Sequence, residues 1–251
     1  MIDGTIWVGV AQTGRTIWYG VNNSPIQNLE DLVPSNLSNL TIENQSGFPT
    51  CFAAGTLIAT PDGERKVEDL RIGDRILTAC GAVVLVKWVG RQTVHRLFTP
   101  AERFRPVRIR AGALAEGVPH ADLVVTADHG IMIGEIMVNA GALVNGTSIV
   151  RVPLEELAER VTYWHVETEG HAVILAAGAP AETYIDHASR RLFDNFAEYE
   201  ALYGAETFDK AELPYARAMS FRQVPADVRA LLTARAIAIG AEPAEDAIAA
   251  A

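Results

Sequence analysis

The sequence predicts a mainly β fold that is followed by a C-terminal α-helical extension. Short runs of β-branched and aromatic residues recur at close spacing between about residues 51 and 186. Beyond about residue 186 the composition shifts to alanine, glutamate and leucine at helical spacing. Because few helical segments interrupt the strands, an alternating βαβ architecture is disfavoured and an all-β module is predicted.

Residues 1–50 are predicted to form a leader that precedes the β module. Two apolar groups, at residues 5–10 and 17–19, flank a turn-like segment at residues 13–15 and predict a small hairpin. Residues 16–50 contain no lysine or arginine and are rich in asparagine, serine and proline, which is typical of a polar linker. The predicted boundaries are therefore a leader over 1–50, a β module over 51–186 and a helical extension over 187–251.

The strands of the module are predicted from apolar runs separated by turn signals. The Asp62-Gly63 pair after Pro61 is one such signal, since proline presets one backbone dihedral and glycine accepts a positive φ. The predicted strands lie at 56–60, 75–78, 82–89, 107–109, 123–126, 163–166 and 172–175, and the predicted helices at 191–199 and 228–238.

Charge and composition exclude several classes of function. The chain has 251 residues, 49% of them hydrophobic, and a formal net charge of -10, which disfavours binding to nucleic acid or to an anionic membrane surface. Basic residues at 103–110 alternate with apolar ones and are interpreted as the solvated face of a strand. No apolar run approaches the roughly 20 residues of a membrane helix, so no transmembrane segment is predicted.

No cofactor or metal is predicted, and the compartment stays open. The sequence has no Cys/His cluster at zinc spacing and no glycine-rich phosphate loop after a strand. The N-terminus lacks the features of a conventional signal peptide, which leaves a cytoplasmic location or export by a leaderless route. The two cysteines, Cys51 and Cys80, do not form a disulfide framework. Cys80 is interpreted as a strand-end residue, with a redox partnership to Cys51 as the alternative.

The composition changes abruptly at Cys51, where the polar leader gives way to small residues and the first strand. An internal cysteine can attack the carbonyl of the residue before it and convert the amide into a thioester. The planar amide resists this reaction. A folded site promotes it by protonating the departing nitrogen and by placing a donor at the developing oxyanion.

Residues 124–130 offer the helpers that this reaction needs. Thr126 and His129 lie three positions apart at the end of a predicted strand, so they converge only if the chain bends there. Asp128 and Gly130 permit such a bend. A histidine with a pKa near neutrality would protonate the leaving amine, and the threonine hydroxyl would hold the scissile backbone. Asp128 either orients His129 or caps the turn.

Four segments together resemble the Hedgehog/intein (Hint) family. They are the cysteine with its small residues and Thr-Leu-Ile strand at 51–58, the segment at 67–74, the Thr-x-x-His box at 126–129, and the segment at 164–176. The resemblance covers about residues 51–186. It implies a flattened, horseshoe-like all-β fold with pseudo-twofold symmetry.

The resemblance also implies self-catalysed chemistry at the Thr50-Cys51 bond, with the chain's own leader as substrate. Cys51 matches the nucleophile of an N-to-S acyl shift, Thr126 and His129 match the family's Thr-x-x-His box, and His171 matches a late histidine that assists C-terminal cleavage in splicing members. The terminal His-Asn pair of inteins is missing here. The implied activity is therefore single-turnover cleavage, in which an outside nucleophile of unidentified nature releases the thioester.

Two further interpretations stand beside this one. In one, the chain keeps the fold as a catalytically silent scaffold or interaction module; in the other, it acts as a Cys/His peptidase on other proteins. For His165 and His171, a surface or hydrogen-bonding role and a catalytic role are both open. Trp88 and Trp164 are predicted to be core aromatics.

Overall fold

A computed structural model of the chain describes residues 6–12, 15–21, 50–96, 105–185, 189–205 and 210–242. The chain divides into two compact units, Met1–Glu43 and Asn44–Ala251. In the first unit, strands β1 (Ile6–Gln12) and β2 (Arg15–Val21) form an antiparallel hairpin in which Gln12 pairs with Arg15. Most of the predicted turn at 13–15 lies outside the described residues. Most of the predicted linker, up to residue 49, lies outside them as well.

The second unit contains fourteen strands and two α-helices among its described residues. Its strands are β3 (Phe52–Ala53), β4 (Leu57–Thr60), β5 (Gly63–Lys66), β6 (Arg75–Leu77), β7 (Val83–His95), β8 (Val107–Ile109), β9 (Leu123–Val125), β10 (Gly130–Ile133), β11 (Ile136–Asn139), β12 (Ile149–Arg151), β13 (Arg160–Thr168), β14 (Val173–Ala176), β15 (Ala179–Glu182) and β16 (Ala216–Ala218). The helices are α1 (Phe196–Tyr203) and α2 (Ala226–Ala238).

These strands form two sheets. One has the order β16-β11-β10-β15-β14-β4-β5, and the other has the order β12-β8-β9-β3-β13-β7-β6. The two long strands β7 and β13 pair antiparallel from Arg160 opposite His95 to Thr168 opposite Val86, with an irregularity between Glu167 and Thr168. The short strand β3 lies between β9 and β13, so the residue before it is held between two strands of the same sheet.

Buried side chains form two clusters. The larger one draws on both sheets and includes Ile58, Ile76, Leu123, Ile131 and Ile174. The smaller one is aromatic and surrounds Cys51 with Trp88, Val94, Tyr163, Tyr184, Phe193 and Tyr199. Phe193 and Tyr199 come from the C-terminal extension, which therefore packs around the cysteine that the sequence singles out.

The mainly β fold with C-terminal helices is confirmed, with differences in several elements. Seven strands were not predicted, namely β3, β5, β10, β11, β12, β15 and β16. Among them, β5, β15 and β16 have the sequences Gly-Glu-Arg-Lys, Ala-Pro-Ala-Glu and Ala-Arg-Ala, which lack the usual β-forming residues. The predicted helix at 228–238 is confirmed within α2. The helix predicted at 191–199 is wrong in its first half, where a 3-10 turn, Arg190–Leu192, precedes α1.

The predicted core aromatics differ in their burial. Trp88 is buried, whereas Trp164 is only partly buried against the larger cluster. Among the helices in the described part of the chain, none has the length and apolar character needed to cross a membrane.

A buried ion pair links Arg190 of the extension to Glu167 of β13. The Glu167 carboxylate is fully buried and accepts hydrogen bonds from Arg190 Nε at 2.8 Å and Nη2 at 2.9 Å. The Arg190 guanidinium also lies over the rings of Tyr184 and Tyr199, at 4.4 and 4.8 Å from their centroids. The Lys210 ammonium lies 3.5 Å from the same carboxylate. These contacts attach the extension to β13.

Replacing Arg190 with methionine is expected to lower the free energy of unfolding by about 3–5 kcal/mol, because Glu167 stays buried after its principal partner is lost. The exposed neighbour Arg191 provides the control: its guanidinium lies over the ring of Phe196, 5.2 Å from the centroid, and Arg191→Met should cost under about 1 kcal/mol. Urea denaturation of the three chains measures both values. Equal losses in the two variants would contradict this account of the ion pair.

Candidate active site

The Thr50-Cys51 peptide lies immediately before β3, inside the protein. Cys51 is fully buried, and Phe52 pairs with Val125 of β9 on one side and Trp164 of β13 on the other. Burial raises the pKa of the Cys51 thiol well above its usual value. The nucleophile predicted from sequence is therefore an uncharged thiol that solvent does not reach, and a base must remove its proton when it attacks.

Thr126 is hydrogen-bonded to both sides of Cys51. The Cys51 N–H donates to Thr126 Oγ1 at 2.9 Å, and the Thr126 N–H donates to the Cys51 carbonyl oxygen at 2.9 Å. The nitrogen of the Thr50-Cys51 bond is thus held by the hydroxyl that the sequence predicted for this position.

A tight turn brings His129 to the same side as Thr126. Strand β9 ends at Val125, and the His129 N–H donates back to the Thr126 carbonyl oxygen at 3.1 Å. Hydrogen bonds from Ala140 N to His129 O and from Gly141 N to Ala127 O, each 2.8 Å long, fix this turn against the following segment. The predicted bend is present, and it places the His129 ring 4.3 Å from the ring of Phe52, next to Cys51.

His129 is fully buried, and burial is the main reason why its pKa falls to about 4. The negative charge of Glu182 and the backbone of Cys51 oppose this effect, whereas the positive charge of Arg217 adds to it. The prediction of a pKa near neutrality is therefore wrong, because the sequence does not reveal how completely the ring is buried. Among the described residues, neither ring nitrogen of His129 has a hydrogen-bond partner.

His165 is one of two histidines whose role the sequence left undecided. It lies on β13 and is buried, so the surface interpretation is wrong. Its Nδ1 is in contact with the carbonyl oxygen of Thr50 and lies 4.0 Å from Cys51 Sγ. Because a carbonyl oxygen only accepts hydrogen bonds, this contact requires a hydrogen on Nδ1.

The surroundings of His165 are apolar and aromatic. Its ring centroid lies 4.7 Å from that of Tyr184 in an edge-on arrangement and 5.4 Å from that of Phe193. Burial, followed by the charge of nearby His129, lowers the pKa of His165 to about 3. Both histidines are therefore neutral at pH 7. In the sequence, His165 is a histidine flanked by apolar residues within a predicted strand. This pattern does not show which residue lies opposite the histidine in the folded chain.

The two supporting residues predicted from sequence lie in different surroundings. Asp128 is exposed, and its charge acts on Arg151. Since neither ring nitrogen of His129 is hydrogen-bonded within the described residues, the placement of Asp128 favours the turn role over the orienting one. The His171 side chain is buried, with Nε2 3.2 Å from Glu182 Oε2 and Nδ1 3.8 Å from Glu212 Oε2.

The second cysteine, Cys80, differs from Cys51 in its burial and in its contacts. Cys80 occupies the turn between β6 and β7, is exposed, and has its sulfur 3.1 Å from Thr78 Oγ1. Both cysteines are free thiols.

Comparisons with known proteins gave matches to several solved structures. Solved structures that resemble this one include the MchDnaB-1 intein with the N145AA change, at 17% identity over 53% of this chain and 99% of that chain, with a TM-score of 0.39. A bacterial intein-like domain from Clostridium thermocellum matches at 16% identity over 55% of this chain and 100% of that chain, with a TM-score of 0.39. The gp41-1 intein matches at 12% identity over 53% and 98%, with a TM-score of 0.32. A search of curated proteins gave no match.

The sequence itself matches the family described as the Hint domain over residues 50–188, which is more than half of the chain. The matched range begins one residue before the predicted nucleophile and includes the Thr126, His129 and His165 positions. The chain belongs to the Hint domain family.

Proposed function

We propose that the chain is a single-turnover self-processing domain that performs an N-to-S acyl shift at Thr50-Cys51. One observation carries this proposal: two side chains contact the two ends of a single peptide bond beside a buried thiol. Thr126 accepts a hydrogen bond from the nitrogen of that bond, and His165 Nδ1 contacts its carbonyl oxygen. An ordinary buried cysteine has no need of this arrangement.

The shift would begin with attack of Cys51 Sγ on the carbonyl carbon of Thr50. The carbonyl oxygen gains negative charge, and the Nδ1–H of His165 is placed to stabilise it as an oxyanion donor. The carbon–nitrogen bond then breaks, and the electron pair stays on the nitrogen of Cys51. The products are a thioester between Thr50 and Cys51 Sγ and a free amine on Cys51.

His129 is the proposed proton carrier. The thiol proton must reach the departing nitrogen, and a neutral imidazole can accept a proton at one nitrogen and return it. Two observations support this role: the His129 ring lies 4.3 Å from the ring of Phe52, the residue that follows Cys51, and both ring nitrogens lack partners within the described ranges. Thr126 keeps the nitrogen in place during the transfer.

The thioester would then be released by an outside nucleophile such as water or a thiol, with loss of residues 1–50. Full splicing is not proposed, since it requires a His-Asn pair whose asparagine cyclises, and the chain has no such pair. Because Cys51 is completely buried, the second nucleophile must enter after the shift. The second candidate function is that of a silent scaffold, which the buried aromatic cluster around the cysteine would equally permit.

The intact mass of the purified chain, followed over time with and without dithiothreitol, tests the proposal. We expect a fragment that starts at Cys51 and a matching leader of residues 1–50, both accelerated by thiol and both absent in Cys51→Ala. Cys80→Ala is the matched control and should cleave normally, because its thiol is exposed and outside the site. A folded wild-type chain that stays intact under strong thiol supports the scaffold. Cleavage of added Cys51→Ala chain by wild type indicates a peptidase.

A further inference from the structure

Strand β16 lies beyond the part of the chain that matches the Hint family, yet it reaches the candidate site. It pairs in parallel with β11, and Arg217 at its centre is opposite Met137. Strand β11 in turn pairs with β10, whose first residue is Gly130. The extension therefore adds an edge strand to the sheet beside the turn that carries His129.

Glu182 connects Arg217 to that turn. Its carboxylate is fully buried at the end of β15 and accepts a hydrogen bond from the Gly130 N–H at 2.7 Å. Arg217 Nη1 donates to Oε1 at 3.1 Å, and Arg217 Nη2 donates to Oε2 at 2.5 Å. One carboxylate thus joins the guanidinium of the extension to the peptide that follows His129.

The carboxylate is fitted closely against the backbone at this point. A Cβ atom built on Gly130 would lie 2.5 Å from Glu182 Oε1 and 2.7 Å from Met137 Sδ. Real Cβ contacts are not this short, so any side chain at position 130 would displace the carboxylate or the turn. Glycine at this position allows the direct contact between Glu182 and the peptide N–H.

A buried carboxylate needs a positive partner to remain ionised. Burial alone would raise the pKa of Glu182, but contacts with His171 and Arg217 hold it well below the usual range. Glu212 also faces this group, 3.8 Å from both Arg217 Nη2 and His171 Nδ1. Arg217 supplies a two-point contact of the kind that fixes both the charge and the orientation of a carboxylate.

We infer that Arg217 is a positioning residue for the acyl shift: by holding Glu182 against the Gly130 N–H, it fixes the turn that places His129 beside the Thr50-Cys51 bond. This inference rests on the proposed function. Arg217 does not touch the reacting atoms, so it acts through Glu182. The C-terminal extension then positions a residue of the site, in addition to packing around the site.

The alternative is that Arg217 only attaches β16 to the sheet. The charges of Glu182 and Arg217 both act on His129, and His129 acts on His165. Loss of the Arg217 charge alters the titration of His129 in either role. Only the positioning role makes the rate of thioester formation depend on the two-point contact with Glu182, so Arg217→Lys, which keeps the charge, separates the two roles.

The test combines the rate of thioester formation with the NMR titration of His129, the latter recorded on uncleaved Cys51→Ala chains. Arg217→Met is expected to slow thioester formation on the order of 10- to 100-fold. It should also raise the pKa of His129 by about one unit, because a nearby positive charge is lost while Glu182 remains. Arg222→Met, which alters an exposed arginine of the same extension, should change neither quantity.

A wild-type rate, or a slower rate with an unchanged His129 titration, would overturn the inference. Arg217→Lys keeps the charge but loses the two-point contact, and it also replaces Arg217→Met if that variant fails to fold. It should form the thioester several-fold more slowly, and a wild-type rate would overturn the inference. Failure of the wild-type chain to cleave would instead contradict the proposed function, while the His129 titration would still show whether the Arg217 charge acts on His129.

Discussion

Replacing His165 with phenylalanine is expected to slow thioester formation at Cys51 by about 10²- to 10³-fold, the usual effect of losing one oxyanion donor. Phenylalanine keeps a ring between Tyr184 and Phe193, so the aromatic packing is largely retained. It removes the Nδ1–H that contacts the Thr50 carbonyl oxygen. Mass spectrometry of samples quenched with hydroxylamine at successive times measures the rate.

The matched control is His165→Asn. An asparagine amide nitrogen can occupy nearly the position of Nδ1 and carries hydrogens, so this variant should retain part of the activity that phenylalanine loses. Wild-type activity in His165→Phe, or equal activity in the two variants, would contradict the assignment of His165 as the donor to the carbonyl.

Replacing His129 with phenylalanine is expected to slow thioester formation by about 10²- to 10⁴-fold, as is typical of the loss of a general acid–base group. The aromatic contact with Phe52 at 4.3 Å can be kept by the new ring, whereas proton transfer from the thiol to the Cys51 nitrogen is lost. The rate is measured as for His165. Normal cleavage in this variant would remove His129 from the mechanism.

The pH dependence of the wild-type rate tests the protonation state of the same residue. His129 must be neutral to accept the thiol proton, and burial lowers its pKa to about 4. The rate of thioester formation should therefore fall as the pH drops through about 4 and show no inflection near 6.5 from this group. Single-turnover rates between about pH 3 and 8 measure this profile. A rate that instead falls as the pH rises through about 6.5, with this fall absent in His129→Phe, would show that the imidazolium form is the active one.

Three of the four residues placed at the Thr50-Cys51 bond could be predicted from the sequence, and the reason lies in how these residues are distributed along the chain. Cys51, Thr126 and His129 occur in two short local patterns, a composition boundary and a strand that ends in a bend. The position of His165 depends on the register of β13 against β3 across more than a hundred residues. Local patterns carry no information on such a register, so the contact with Thr50 was not predicted.

The contribution of Arg217 in the C-terminal extension could not be predicted from the sequence for a different reason. Helical spacing correctly predicted α2, but Arg217 lies on a three-residue strand with alanine on both sides. Alanine disfavours strands, so β16 forms because β11 offers an edge and Glu182 offers a charge. The low pKa of His129 is likewise a property of the assembled site, since it arises from burial beneath elements that are remote in sequence.

The most direct test of the central claim is to identify the bond that breaks and the group left on Thr50. When the folded chain is treated with hydroxylamine, a thioester at Cys51 yields a leader of residues 1–50 whose C-terminal Thr50 carries a hydroxamate, together with a second fragment that begins at Cys51. Tandem mass spectrometry of both fragments measures this outcome, and Cys51→Ala should yield neither. Cleavage at another bond, or the same cleavage in Cys51→Ala, would contradict the claim that Cys51 attacks the carbonyl of Thr50.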